Sequence, residues 1–362
     1  MDGRIPHAQL FYGPEGSGNL AIALAYAQFL NCRDRQADDS CGRCPSCLQF
    51  QKLAHPDLHF IYPVATTTNV KDKPKSLNFI QEWREFILTR KAYVNLDGWY
   101  SAINIERKQA IINKDDCNEI VRVMGYKSYE SEYKVMVIWM IEKLFPASAP
   151  KILKILEEPP DKTVFLMITE NLDHILSTIL SRSQIIKVPK IKDEDLMKYL
   201  ETRYDKKETE MRQAVNLSDG NLIEALNCLD NEGDEAYYED FRKWMLLCYQ
   251  NKITELQPFI EEHAQFTREK LKSYLQYGTV VFRYCYHLNV IPSPKIRMEG
   301  GELTFVKNFS KYIHSGNILK LFQLLNDAIF HIERNANASI LLMDLSLQIG
   351  KQLKIQAPQN NK

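Results

Sequence analysis

The chain has 362 residues, enough for about two or three domains at roughly 150 residues each, which excludes a single small disulfide-stapled fold. Its 45% hydrophobic and 25% charged residues, with only 14 Gly and 15 Pro, exclude a disordered or collagen-like chain. Lys and Arg number 46, as do Asp and Glu, so no global basic field draws nucleic acid, and such contacts must come from a local patch or from partner chains.

The first predicted elements are a strand at Leu10-Phe11-Tyr12, a turn from Gly13 to Gly18 and a helix over 20–30. The run 20–27 ends in Ala-x-Ala, but Asp2 and Glu15 are acidic and a Gly-rich turn separates it from Arg4, so it lacks the basic flank of a signal peptide. No other apolar run approaches the roughly 18 residues of a membrane span, and a cytoplasmic protein is expected. Further strands are predicted at 59–62, 135–139, 164–168 and 183–188. Strands alternating with helices over 1–190 predict an α/β domain with a buried, mostly parallel sheet.

Between 63 and 133 a polar stretch precedes an amphipathic segment at 77–92 with Trp83 and Phe86, which reads as an insertion or an elaborated surface hairpin. Beyond Lys192 strands all but vanish. Helices are predicted at 193–200 and 208–217 and, after the stop signal Ser218-Asp219-Gly220-Asn221, at 222–229, giving a small helical lid domain over 191–234. Amphipathic helices at 238–249, 252–263, 267–287, 316–332 and 338–354 predict an all-α domain over 235–362. Its clearest loop is 292–301, and 357–362 reads as a frayed tail.

Two motifs carry chemistry. Gly13-Pro14-Glu15-Gly16-Ser17-Gly18 lies between strand and helix, as does a loop whose backbone N–H groups cradle phosphate. Productive nucleotide chemistry also needs a Lys after the last Gly and then a Ser or Thr for Mg²⁺. Asn19 and Leu20 occupy those positions, so the turn reads as one kept for the fold, and no intrinsic ATPase is expected. The second motif is Cys32-x8-Cys41-x2-Cys44-x2-Cys47, four thiolates that close one tetrahedral Zn²⁺ shell and leave no open catalytic position. Cys117, Cys228, Cys248 and Cys285 lie in amphipathic contexts and read as small core hydrophobes rather than disulfide partners.

In their order, Ile5-Pro6-His7-Ala8-Gln9-Leu10-Phe11, the degenerate loop, the four cysteines, His55-Pro56-Asp57, Leu156-Glu157-Glu158-Pro159-Pro160 and Thr178-Ile179-Leu180-Ser181-Arg182-Ser183 resemble the AAA+ clamp-loader family, in particular the delta-prime kind of bacterial DNA polymerase III. The resemblance covers almost the whole chain. It implies a P-loop-type sheet domain, a helical lid and a helical collar, for which Arg334-Asn335-Ala336-Asn337-Ala338 and the following leucines 341, 342, 345 and 347 look typical. Relatives that hydrolyse ATP carry an Asp-Glu pair where Trp139 and Met140 stand, and an Arg where Gly220-Asn221-Leu222-Ile223 supplies Ile223. They also carry about two helical turns before Ile-Pro-His, whereas this chain begins a few residues ahead of it. Ser181-Arg182-Ser183 keeps the Ser and Arg of the family's Ser-Arg-Cys, and implies that Arg182 reaches ATP bound in a neighbouring subunit; on local sequence alone it would be a surface charge or a salt-bridge partner. The partners implied are gamma/tau-like and delta-like subunits in a hetero-pentameric ring, the sliding clamp, and primer-template DNA bound through the complex. Two other readings stay open at this point: an active gamma/tau-like ATPase subunit, and a zinc-stabilised interaction module outside replication.

Overall fold

The computed structural model describes residues 5–105, 108–230, 237–292, 298, 300–334 and 336–357, with backbone alone at 213, 217, 230, 269 and 333. Residues 1–4, the lid boundary at 231–234, most of the predicted loop at 292–301, Asn335 and residues 358–362 of the predicted tail therefore lie outside the description. The chain divides into two compact units, one of residues 1–196 with 219–223 and one of 197–218 with 224–362.

The first unit is built on five parallel strands, β1 (Ala8–Tyr12), β2 (Leu58–Ile61), β3 (Lys134–Trp139), β4 (Thr163–Thr169) and β5 (Gln184–Lys187), in the order β2-β3-β4-β1-β5. All positions of β3 and β4 are buried, as expected of central parallel strands covered on both faces. Alternate residues feed two cores. Phe11, Val135, Val137, Trp139, Leu166 and Ile168 lie in one, and Leu10, Met136, Ile138, Phe165 and Met167 in the other. Helix α1 (Asn19–Leu30) follows β1, and α2 (Pro45–Gln51) precedes β2.

The 63–133 segment is not a surface hairpin. It holds α3 (Ile80–Thr89), α4 (Leu96–Ala102) and α5 (Lys114–Met124), and its aromatic residues complete the first core. Trp83 stacks on Tyr62 with ring centroids 4.1 Å apart and meets Trp99 and Trp139 at 5.1 and 5.2 Å. The indole of Trp99 donates to the Pro63 carbonyl oxygen at 2.9 Å. Such rings are too large to stay outside a core once a helix brings positions 83, 86 and 87 onto one face. The unit continues with α6 (Ala149–Glu157) and α7 (Ser177–Leu180).

His55-Pro56-Asp57 has a structural explanation. The Asp57 carboxylate, 1% exposed, accepts the backbone N–H groups of Tyr129, Glu130 and Ser131 at 2.6–2.9 Å and the Ser131 hydroxyl at 3.0 Å. Burial opposes its charge, but these donors outweigh it and hold its pKa below the ordinary value. A depressed folded pKa means stabilisation that is present above the unfolded value of about 3.9 and lost as pH falls through the folded one. Asp57→Ala is therefore expected to cost about 2–3 kcal/mol at neutral pH, read by urea unfolding, with the deficit closing in acid.

The helices continue with α8 (Asp193–Arg203), α9 (Glu208–Ser218) and α10 (Leu222–Asp230), the unit boundaries falling within α8, at the end of α9 and within α10. The second unit is completed by α11 (Tyr237–Gln250), α12 (Ile253–His263), α13 (Arg268–Val290), α14 (Gly300–Phe309), α15 (Ile318–Glu333) and α16 (Ala338–Leu353). Phe241, Trp244, Tyr274, Tyr277 and Phe282 form its centre, and the Trp244 indole donates to Ser346 Oγ at 2.8 Å. Gly350 lets α16 approach α11, since a Cβ there would lie 2.4 Å from the Cys248 carbonyl oxygen. The parallel sheet followed by an all-α region is the fold class expected from the sequence. None of the eight cysteines is in a disulfide. No helix among the described residues is long and apolar enough to cross a membrane.

Candidate functional site

The turn between β1 and α1 depends on glycine. Gly16 and Gly18 have φ of 71° and 91°, a region that side chains strain to enter. A Cβ on Gly13 would lie 2.2 Å from the Val188 carbonyl oxygen. Gly13, Gly16 and Gly18 thus shape the loop, Asn19 and Leu20 open α1 directly after it, and the chain itself closes on the loop from three directions. Asn19 Nδ2 donates to the Gly13 carbonyl oxygen at 2.8 Å, and its Oδ1 lies 3.0 Å from Ser17 Oγ. The ring of Tyr93, from the 63–133 segment, covers Gly18, where a Cβ would lie 3.2 Å from it. Asn221 packs against Gly16 so tightly that a Cβ there would lie 1.7 Å from Asn221 Oδ1. Asn221 Nδ2 donates to Glu15 Oε1 at 3.1 Å, and the Leu222 N–H donates to the Gly16 carbonyl oxygen at 3.2 Å.

The remaining cleft has an empty volume of about 270 Å³ and is lined by the loop, Tyr93, Trp139 and Glu170 among others. Trp139 and Met140 are each 1% exposed, and Ile223 is 4% exposed, and none of the three carries a carboxylate or a cation. Burial, with Glu15 and Glu142 nearby, pushes the Glu170 pKa up to about 8. Glu170 is the acidic group lining this cleft, and Lys143 only partly offsets the effect of its acidic neighbours, whereas a polyphosphate requires cations. Sequence reading identified the loop but missed Tyr93 and Glu170. Glu170 had a signal, since it follows a predicted strand at the carboxyl end of the sheet, where α/β folds place ligands; Tyr93 had none.

The cysteine module joins α1 to α2. Cys44 is the N-cap of α2, and its Sγ accepts the Cys47 N–H at 3.4 Å. The N–H groups of Cys41 and Cys44 donate likewise to the sulfurs of Cys32 and Cys41, at 3.2 and 3.3 Å. All four sulfurs lie within 4.8 Å of one another, and those of Cys41 and Cys47 are 3.9 Å apart. Thiolates at about 2.3 Å from one zinc would stand about 3.8 Å from one another, so the donor set fits this ion. Burial opposes ionisation of Cys44, yet the Cys47 N–H and other donors bring its pKa down to about 6. Burial and neighbouring thiols push Cys47 up to about 12, so without a cation the four cannot all ionise together.

Arg182 lies in the turn between α7 and β5. Its Nη2 is 2.5 Å from Glu157 Oε1, and its Nη1 donates to the Thr178 carbonyl oxygen at 2.9 Å and to Ser181 Oγ at 3.2 Å. Ser183 donates its hydroxyl to the Ile179 carbonyl oxygen at 2.7 Å. Because β5 runs parallel to β1, Arg182 ahead of β5 and the loop after β1 are at opposite ends of the sheet. Sequence reading singled out Arg182 but gave Glu157 no role.

The family model described as DNA polymerase III, delta subunit, matches residues 1–192. The chain belongs to this family. Within it the chain is similar to delta' subunits, and its similarity extends to gamma subunits. It is 24% identical over 256 residues to DNA polymerase III subunit delta' of Haemophilus influenzae, covering 71% of this chain and 65% of that one. It is 27% identical over 234 residues to DNA polymerase III subunit gamma of Buchnera aphidicola from Acyrthosiphon pisum, covering 63% of this chain and 52% of that one. The chain thus spans between about half and two thirds of the length of these curated relatives. Among solved structures, a gamma subunit-related protein of Thermotoga maritima aligns over 96% of both chains at 14% identity, with a TM-score of 0.41.

Proposed function

We propose that this member of the DNA polymerase III delta subunit family is a non-catalytic, delta-prime-like clamp-loader subunit. It acts in the bacterial cytoplasm, in a hetero-pentameric ring with gamma/tau-like and delta-like subunits, and helps place the sliding clamp on primer-template DNA. The observation that carries the non-catalytic reading is the loop closed by Asn19, with the Tyr93 ring and Asn221 against its glycines. A loop that satisfies its own carbonyl and lacks the phosphate-binding Lys has little to offer a triphosphate. Trp139 and Met140 cannot hold Mg²⁺ or activate water.

Arg182 supplies the chemistry that remains. At the opposite end of the sheet from this chain's own loop, its guanidinium serves a γ-phosphate held by a neighbouring subunit and neutralises charge developing during transfer. Zinc bound by Cys32, Cys41, Cys44 and Cys47 is structural. DNA is bound as part of the ring, because a chain with no net charge gains little from counterion release.

Reconstitution with motor subunits and clamp tests the whole reading. Clamp loading and DNA-stimulated ATPase should fall when this chain is left out; full loading without it would refute the proposal. The likeness to a gamma subunit favours a motor as the second reading. Calorimetric titration separates the two: the purified chain is expected to show no saturable Mg-ATP binding up to about 1 mM, and Asn19→Lys should not restore it, since the other missing groups remain missing. Micromolar affinity would favour the motor.

A further inference from the structure

We infer that Glu157 is a positioning residue for Arg182, setting the direction in which the guanidinium leaves the domain; this rests on the in-trans role proposed for Arg182. Glu157 is the last residue of α6. Its carboxylate meets Arg182 Nη2 at 2.5 Å, with side-chain exposures of 48% for Glu157 and 34% for Arg182. From the other side, the Thr178 carbonyl and the Ser181 hydroxyl hold Nη1. Two helix ends, those of α6 and α7, therefore grip one guanidinium.

An ion pair this exposed adds little to stability, because water screens it and two long side chains lose freedom in making it. Its effect is orientation. Arginine has several rotatable bonds, and a group that must meet phosphate in a neighbouring subunit loses effectiveness with each rotamer that points elsewhere. A guanidinium carries five N–H groups in a rigid plane, more than this tether uses, so an arginine held here retains donors for an anion. The arrangement differs from a buried structural pair, where removal of one partner would strand a charge. Here either side chain can be truncated and the other stays solvated.

The test is a double-mutant cycle in the reconstituted complex with full-length chains, clamp and primer-template DNA. Glu157→Ala is expected to lower kcat for DNA-stimulated ATP hydrolysis about tenfold at the site served, with KM for ATP unchanged. Glu157→Gln, which keeps an acceptor oxygen at the same reach, should lose only about threefold. In an Arg182→Ala background Glu157→Ala should cost nothing more, because the group it aims is gone. Unfolding midpoints of the free variants should stay near that of the parent. If Arg182→Ala lowers turnover and Glu157→Ala does not, the positioning role is refuted and the role of Arg182 stands. An equal loss from Glu157→Ala with and without Arg182, or a rise in turnover, also overturns the inference; the rise would make Glu157 a competitor for the guanidinium. If Arg182→Ala itself has no effect, the in-trans reading fails and this inference fails with it.

Discussion

Arg182→Ala is expected to lower the turnover of the ATP site it serves by about 10³-fold or more, the scale on which arginine fingers act in phosphoryl transfer. The magnitude follows from where the charge is needed. Negative charge spreads over the transferring phosphoryl oxygens, and a rigid cation beside them stabilises the transition state more than the ground state. Arg182→Lys should recover only part of the loss, because an ammonium has neither the planar fork nor its reach. The side chain is partly exposed and its ion pair with Glu157 is at the surface, so the variant should remain folded and metal-loaded. Single-turnover hydrolysis in the reconstituted complex reads the affected site without averaging over the ring. Unchanged turnover would eliminate the in-trans role and leave Arg182 as the surface ion-pair partner that its local sequence also allows.

The central strands β3 and β4 were legible because buried parallel strands are nearly continuous apolar runs, the edge strand β5 only by its Ile pair, and the observed limits differ from the predicted ones by at most two residues. The 63–133 segment was harder for a physical reason. In α4, Leu96–Ala102, a central glycine weakens the local signal, and Trp99 takes its place through an indole bond to Pro63 formed only in the folded chain. Helix α5 carried a readable start, with Asn113 capping the N–H groups of Asp115 and Asp116 and the Asp116 carboxylate answering the Asn113 N–H. Its polar neighbours masked that start. Helix α14, Gly300–Phe309, opens on two glycines and reads as loop by composition. At the candidate site, Asn19 and Leu20 could be judged from position alone because the loop is contiguous. Tyr93 over Gly18 and Glu157 beside Arg182 are through-space neighbours from distant segments, and no spacing rule announces them.

Removing the metal is expected to have the second large effect. Metal analysis should find about one zinc per chain, and Cys44→Ser should reduce that to near zero, while Cys117→Ser, a buried thiol outside the module, should leave it unchanged. The module is not a detachable appendage. Cys47 is fully buried, Phe50 and Leu53 of the same segment belong to the first core, and Ser46 Oγ donates to the Asn31 carbonyl oxygen at 2.8 Å. Without a cation, four thiolates this close must protonate or repel one another, and α2 loses the cross-link that sets its start. Zinc-finger peptides derive about 10–16 kcal/mol of apparent folding energy from such shells. Here the core retains part of the fold, so a loss of about 3 kcal/mol, or about 6–12 °C in Tm for a domain of this size, is the expected result of chelation. Thermal unfolding with and without chelator, followed by zinc add-back, measures it. Full recovery on zinc but not on Mg²⁺ would fit the sulfur donor set. A metal-free protein with an unchanged unfolding curve would show that packing alone holds the segment between α1 and α2, and the four-thiolate shell would have to be abandoned.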